Sequence, residues 1–137
     1  MNPIAPDLAA RIQRRIDDLQ PPDSLGHWPT RVCKRELNAL PLHGNWVYLW
    51  ALQPDGTVLC MDHEALSHPT GPETDPLVIY AVLVQGSRTY PELRELVPAR
   101  PESAQPCSLC EATGMVKGGP ESCESCLGCR GLGYVGR

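Results

Sequence analysis

The sequence contains no phenylalanine, and only three Trp and four Tyr take its place. A core must therefore be built from aliphatic side chains. Basic residues are not in surplus: 12 Lys plus Arg face 16 Asp plus Glu, a formal charge of −4. Phosphate neutralisation supplies most nonspecific nucleic-acid affinity, so this balance argues against a nucleic-acid partner. Long apolar runs are also missing. The longest, Leu77 to Val84, falls far short of the ~18 residues that a bilayer requires. The opening stretch MNPIAPDLAARIQRR interrupts its apolar residues with Pro3, Pro6 and Asp7 and places Arg11, Arg14 and Arg15 after them, unlike a secretory leader. These features predict a cytoplasmic protein with no membrane association, in which thiols stay reduced.

Proline is abundant instead, at 15 of 137 residues, about twice its usual ~5% share. That favours short elements over a long helical bundle or a coiled coil. Apolar residues at 42% and charged residues at 20% exclude a wholly disordered chain. The length fits one small domain with an appendage.

Ile4, Leu8, Ile12, Ile16 and Leu19 recur at helical spacing and predict a helix over 6–19, ended by Pro21 and Pro22. A weaker helical pattern joins Val32, Cys33, Leu37 and Leu40. Asn45 to Gln53 is apolar at both parities and reads as a strand buried on both faces. Pro54, Asp55 and Gly56 supply a turn, and Thr57 to Asp62 reads as the returning strand of a hairpin. His63 to Thr74 has loop composition. Asp75 and Pro76 signal a helix start, as cap and first helical residue. Leu77 to Gln85 then reads as a buried helix stopped by Gly86. The β-branched Val78, Ile79, Val82 and Val84 leave a strand open as the alternative. A further short helix begins at Pro91 and stops at Pro98, and Pro98 to Pro106 has the composition of a linker. The expected fold class is α+β: a body of residues 1–100, mixing helices with an antiparallel hairpin and able to serve as a protein-binding domain, followed by linker and cysteine-rich segment over 101–137.

The seven cysteines are Cys33, Cys60, Cys107, Cys110, Cys123, Cys126 and Cys129. An odd number cannot pair completely within one chain. Residues 107–137 hold seven of the twelve glycines and few large aliphatic residues, so this segment needs a staple rather than a core. Cys107-x-x-Cys110 and Cys126-x-x-Cys129, with 15 residues between them, have the spacing of a zinc site. A C-x-x-C turn sets two sulfurs on one side at the edge length of a zinc tetrahedron. The glycines that follow allow tight loops whose N–H groups face the sulfurs and offset the charge of four thiolates on one Zn²⁺. Cys123-x-x-Cys126 is a competing pair. Only Cys126/Cys129 is followed by both glycines, which favours that register with Cys123 as a spare or exchanging thiol; in the Cys123/Cys126 register Cys129 is the spare. Lys117, Arg130 and Arg137 balance Glu111, Glu121 and Glu124, so this segment carries no net charge to attract phosphate.

The repeated C-x-x-C-x-G-x-G resembles the zinc-binding domain of DnaJ-class chaperones. Cys126, Cys129, Gly131 and Gly133 match the repeat fully, whereas Cys107, Cys110 and Gly114 match it with Ala112 in place of the first glycine. The resemblance implies one zinc ion held by Cys107, Cys110, Cys126 and Cys129, with Gly114, Gly131 and Gly133 shaping the loops. The chain lacks a His-Pro-Asp motif, so it is not a complete co-chaperone. The two-repeat form is more similar to the small anti-TRAP type of protein, whose zinc domain binds another protein. Residues 1–100 resemble the SUKH superfamily of bacterial immunity and regulatory proteins in a leading helix, a hairpin around Asp55-Gly56, an acidic residue after it and trailing helices. That resemblance implies an α+β protein that binds protein partners.

Other candidates carry blander readings. Asp62-His63-Glu64 is a solvated strand end, and His27, His43, His63 and His68 have no metal spacing. Cys33 and Cys60 lie on apolar patterns and read as small core residues, and Trp46 and Trp50 share strand parity. Tyr134 and Val135 are placed to pack the knuckle onto the body or a partner. No phosphate loop, dinucleotide fingerprint or nucleophile elbow is present. The expectation is a non-enzymatic, zinc-binding, protein-interaction module, immunity- or adaptor-like. A thiol–disulfide oxidoreductase and a nucleic-acid-binding zinc protein are its rivals.

Overall fold

The computed structural model describes residues 4–20, 28–45, 47–62, 71–117 and 123–136, with the backbone alone at 28–29, 117 and 123–125. It is an α+β fold: helices packed on an antiparallel sheet, followed by two small two-stranded ribbons. Trp46, His27, His63, Glu64 and His68 lie outside the described residues.

Helix α1 (Pro6–Asp18) starts with proline at its first position and buries Leu8, Ile12 and Ile16, the stripe expected from its spacing. Its C-terminal carbonyls are covered from outside: Lys34 Nζ donates to the Asp17 and Leu19 carbonyls at 2.7 and 2.6 Å. A short helix, α2 (Trp28–Arg31), runs into a π-helical turn (Val32–Leu37), which ends at Asn38 in a left-handed conformation, φ 47°. Leu40, expected on this helical pattern, instead opens strand β1 (Leu40–Gly44).

Strands β1, β2 (Tyr48–Leu52), β3 (Val58–Asp62) and β4 (Gly71–Pro72) form an antiparallel sheet in that order. The hairpin of β2 and β3 pairs Tyr48 with Asp62 and Leu52 with Val58, closed by a turn in which Gly56 has φ 95°. The two-faced apolar pattern of β2 is used on both sides. Trp50 and Leu52 join Leu40, Leu42 and Val58 under α1 and the later helix, while Leu49 and Ala51 join Leu59, Met61, Cys33 and Ala39 on the opposite face. Cys33 is fully buried there and Cys60 half-buried at the edge of the first cluster. Burial pushes the Cys33 thiol up to about 12 and, with the nearby carboxylates of Glu73 and Asp62, the Cys60 thiol up to about 11, so both stay protonated.

Residues 76–89 are helix, not strand: α3 (Pro76–Thr89) begins where Asp75 Oδ1 accepts the Leu77 N–H at 2.9 Å. The cap and Pro76 outweigh the β-branched content because the helix is buried against the sheet, where packing overrides propensity. Gly86 does not stop this helix. A Cβ built there would lie 2.6 Å from Leu42 Cδ2, so the glycine is what lets α3 lie close over β1. A 3₁₀ helix (Pro91–Leu96) follows and buries Leu93. It is tied to α1 by Arg15 Nε, which donates to Glu92 Oε1 at 2.5 Å and holds that carboxyl below its usual range.

The remaining strands are β5 (Ala104–Pro106), β6 (Met115–Lys117), β7 (Cys123–Ser125) and β8 (Tyr134–Gly136), paired β5–β8 and β6–β7. Strand β5 lies in the stretch whose composition read as linker, and β4 in the stretch that read as loop. Both are short edge pairings that leave no periodic signature. Leu132, in the cysteine-rich segment, is buried in the same apolar cluster as α1, α3 and the sheet. Among the described residues no helix is long and apolar enough to cross a membrane.

Gly86→Val is expected to destabilise the protein by about 1–3 kcal/mol through overpacking against Leu42. Chemical denaturation measures this, and a variant as stable as the parent would contradict the close α3–β1 packing.

Candidate metal centre

The cysteine-rich segment is a pseudo-twofold repeat. Strand β5 precedes the first C-x-x-C and pairs with β8, which follows the second. Strand β7 precedes the second C-x-x-C and pairs with β6, which follows the first. The junctions are reciprocal: the Cys107 N–H donates to Gly133 O and the Cys126 N–H to Gly114 O, both at 2.9 Å. Each C-x-x-C then turns tightly, with the Thr113 and Leu132 N–H groups bonded to the Cys110 and Cys129 carbonyls at 3.1 Å.

The turns need left-handed backbone at matching places. Glu111 and Arg130 stand at φ 53° and 57°, Ala112 and Gly131 at 64° and 80°, and Gly114 and Gly133 at 78° and 89°. A Cβ on Gly114 would meet Gly131 O at 2.4 Å, and one on Gly133 would meet Ala112 O at 2.6 Å. The two final glycines thus let the halves interlock. Ala112 performs the first glycine's role in the first half, at the steric cost of its Cβ in that conformation.

These loops bring the Sγ atoms of Cys107, Cys110, Cys126 and Cys129 within 4.8 Å of one another, all four buried. Cys107 and Cys126 sulfurs are 3.8 Å apart and Cys110 and Cys129 sulfurs 3.6 Å apart. Four sulfurs at ~2.3 Å from a tetrahedral zinc would have edges of ~3.8 Å. They are too distant for S–S bonds of ~2.05 Å. The Gly114 N–H donates to Cys110 Sγ at 3.2 Å and the Gly133 N–H to Cys129 Sγ at 3.1 Å. Val116 and Val135 pack against the cluster and exclude water. Donor type, separation, burial and N–H donors all fit a tetrahedral thiophilic cation. Zinc bound by four thiolates has no open coordination position and supplies cross-linking, not catalysis. Cys123 pairs with Lys117 through the backbone of β7, and its side chain is among those not described.

Electrostatics point the same way. Burial raises the Cys110 thiol, but the Gly114 N–H and the Cys129, Cys107 and Cys126 thiols outweigh it and hold this group down to about 7. Burial, reinforced by the Cys110 sulfur, pushes Cys129 up to about 12. The cluster cannot carry four negative charges until a cation neutralises them.

The body grips both loops. Gln85, almost fully buried at 6% exposure, donates from Nε2 to Leu132 O at 3.0 Å and Ala112 O at 3.1 Å. Arg88 Nη2 reaches Ala112 O at 3.2 Å, Asn45 Nδ2 reaches Arg130 O at 2.9 Å, and the His43 ring donates to Gly131 O. Burial lowers the His43 pKa, which favours this neutral donor form. Tyr134 meets Tyr80 edge-on at 5.0 Å, as its placement beside the knuckle suggested, while Val135 faces the cysteines. The role of Gln85 was not read from the sequence. Its signal was a lone amide at the end of the apolar run LVIYAVLVQ, since a buried amide needs partners.

No family model, curated protein or solved structure matches this chain. The likeness to DnaJ-type and SUKH-type proteins therefore rests on the quoted residues alone.

Proton competition sets one expectation. Cys129 is protonated throughout the neutral range without metal, so binding must expel that proton and affinity must rise with pH. Chelator-competition titration is expected to show affinity rising at least about tenfold per pH unit from pH 6 to 8. A flat profile would contradict thiolate ligation. Separately, Ala112→Gly is expected to stabilise the metal-loaded protein by about 0.5–1 kcal/mol, the steric relief less the entropy of glycine. Thermal denaturation checks the sign.

Proposed function

We propose that this chain is a zinc-binding, non-enzymatic interaction module, in which one ion held by Cys107, Cys110, Cys126 and Cys129 stiffens a knuckle that engages another protein. The observation carrying the metal assignment is the set of four buried sulfurs at tetrahedral edge distances. Support for a protein partner comes from the knuckle's outer loops. Leu109 and Leu127, one inside each C-x-x-C, are 71% and 82% exposed. Leucines presented on rigid, cross-linked loops lose little conformational entropy on docking. The resemblance to two-repeat DnaJ-like and anti-TRAP-type zinc domains favours the same adaptor- or immunity-like role, in the reducing cytoplasm where thiolates persist. Nucleic acid is disfavoured by the acidic charge balance.

Elemental analysis of protein purified without chelator is expected to find one zinc per chain. Cys110→Ser is expected to lose it and to lower global stability, because Leu132 then loses its anchored loop. Cys123→Ser is expected to keep it, and loss there would make Cys123 a ligand. Thiol titration separates the redox reading: with metal bound, the four cluster thiols should react only after a chelator is added. Rapid titration of four thiols in untreated protein would favour a dithiol oxidoreductase instead.

A further inference from the structure

On the side of the body formed by the start of α1, the β2–β3 turn, the first two turns of α3 and the end of the 3₁₀ helix lies a cleft of about 630 Å³. Its volume falls in the range of small-molecule sites, ~300–1,000 Å³. Ile4, Leu8, Ile79, Leu83, Leu96 and Val97 give it an apolar wall, and Ile4, Ile79, Leu96 and Val97 are left partly exposed there. The cleft shares no residue with the metal centre.

Among the described residues its charged lining is of one sign, Glu73 and Glu95, with no lysine or arginine in the wall. The Glu73 carboxylate is held in place by neutral donors. Oε1 accepts the indole N–H of buried Trp50 at 2.9 Å, and Oε2 accepts the Thr74 and Asp75 N–H groups at 3.0 and 3.3 Å. Among the described residues no cation pairs with Glu73. Glu95 shares Arg11 with Asp7: the guanidinium lies 3.5 Å from Glu95 and 3.3 Å from Asp7.

A fixed carboxylate beside an apolar wall selects its occupant. An apolar molecule without charge would cover the carboxylate and leave its charge desolvated and unbalanced. An anion would be repelled by both glutamates. A cation with an apolar body satisfies both surfaces, and its attraction to Glu73 is strengthened by the low dielectric of the wall. We propose that this cleft binds a small hydrophobic organic cation, an amine whose ammonium sits at Glu73 and whose apolar part lies along Ile79, Leu83, Leu96 and Val97.

The test uses the full metal-loaded chain and three probes of equal length: n-octylamine, 1-octanol and octanoate, each below its aggregation concentration. Calorimetry is expected to show one amine bound per chain, with octanol and octanoate at least tenfold weaker. Glu73→Gln is expected to weaken amine binding about tenfold and leave octanol unchanged. Ile79→Trp, which fills the cleft, is expected to abolish amine binding with zinc content and circular dichroism retained. Should Glu73→Gln not fold, the exposed Glu95→Gln carries the charge test, with a weaker amine affinity expected. Equal affinity for amine and octanol, undiminished binding in Ile79→Trp, or no saturable amine binding would each overturn the proposal. Zinc content, read on the same samples, stays independent of every one of these outcomes.

Discussion

Four sulfur atoms held together away from water set the central constraint on this molecule. As thiols they make only weak contacts with one another, and as thiolates they repel. The backbone supplies an N–H donor to Cys110 and another to Cys129, which offsets part of one charge but not of four. A divalent cation would resolve the conflict, and the left-handed turns, interlocked glycines and crossed ribbons set the four sulfurs where they could hold one.

The cage is also part of the body's architecture. Both halves of the pseudo-twofold repeat meet the body: the carbonyls of residues 130–132 receive donors from Asn45, His43 and Gln85, and the Ala112 carbonyl receives donors from Gln85 and Arg88. Leu132 enters the main apolar cluster between these polar contacts. Leu109 and Leu127, at the outward ends, stay exposed. The repeat is symmetric in backbone but unequal in use: the second loop carries Leu132 and most of the polar anchors, the first is held through the Ala112 carbonyl, and the leucine tips stay free.

The body solves a shortage of aromatic side chains by burying both faces of β2. Aliphatic residues alternate between a helical layer on one side and the π-helical turn on the other. Trp50 is the one described tryptophan inside, and its indole N–H requires an acceptor. Glu73 provides it, so a single hydrogen bond both satisfies the core and sets a carboxylate at the edge of the open cleft. Satisfying a buried donor and creating an unbalanced charge are here the same event.

Short-range chemistry was legible in the sequence. The spacing of Ile4 to Leu19, the Pro54-Asp55-Gly56 turn, the Asp75 cap and the two C-x-x-C pairs each act over a few residues, and neighbours along the chain determine them. Strand β1, the β5–β8 pairing and the docking of Leu132 depend on partners far away in the chain, which periodicity cannot register. Gly86 read as a helix stop because its local signal is that of a C-terminus, and only the approach of Leu42 shows why glycine is needed there. Ala112 in a glycine's conformation, and Gln85 as the hinge between body and knuckle, were likewise decided in three dimensions. At Ala112 the long-range contacts outweigh a local backbone preference of about 1–2 kcal/mol, and at Gln85 the partners of a buried amide come from 27 and 47 residues away.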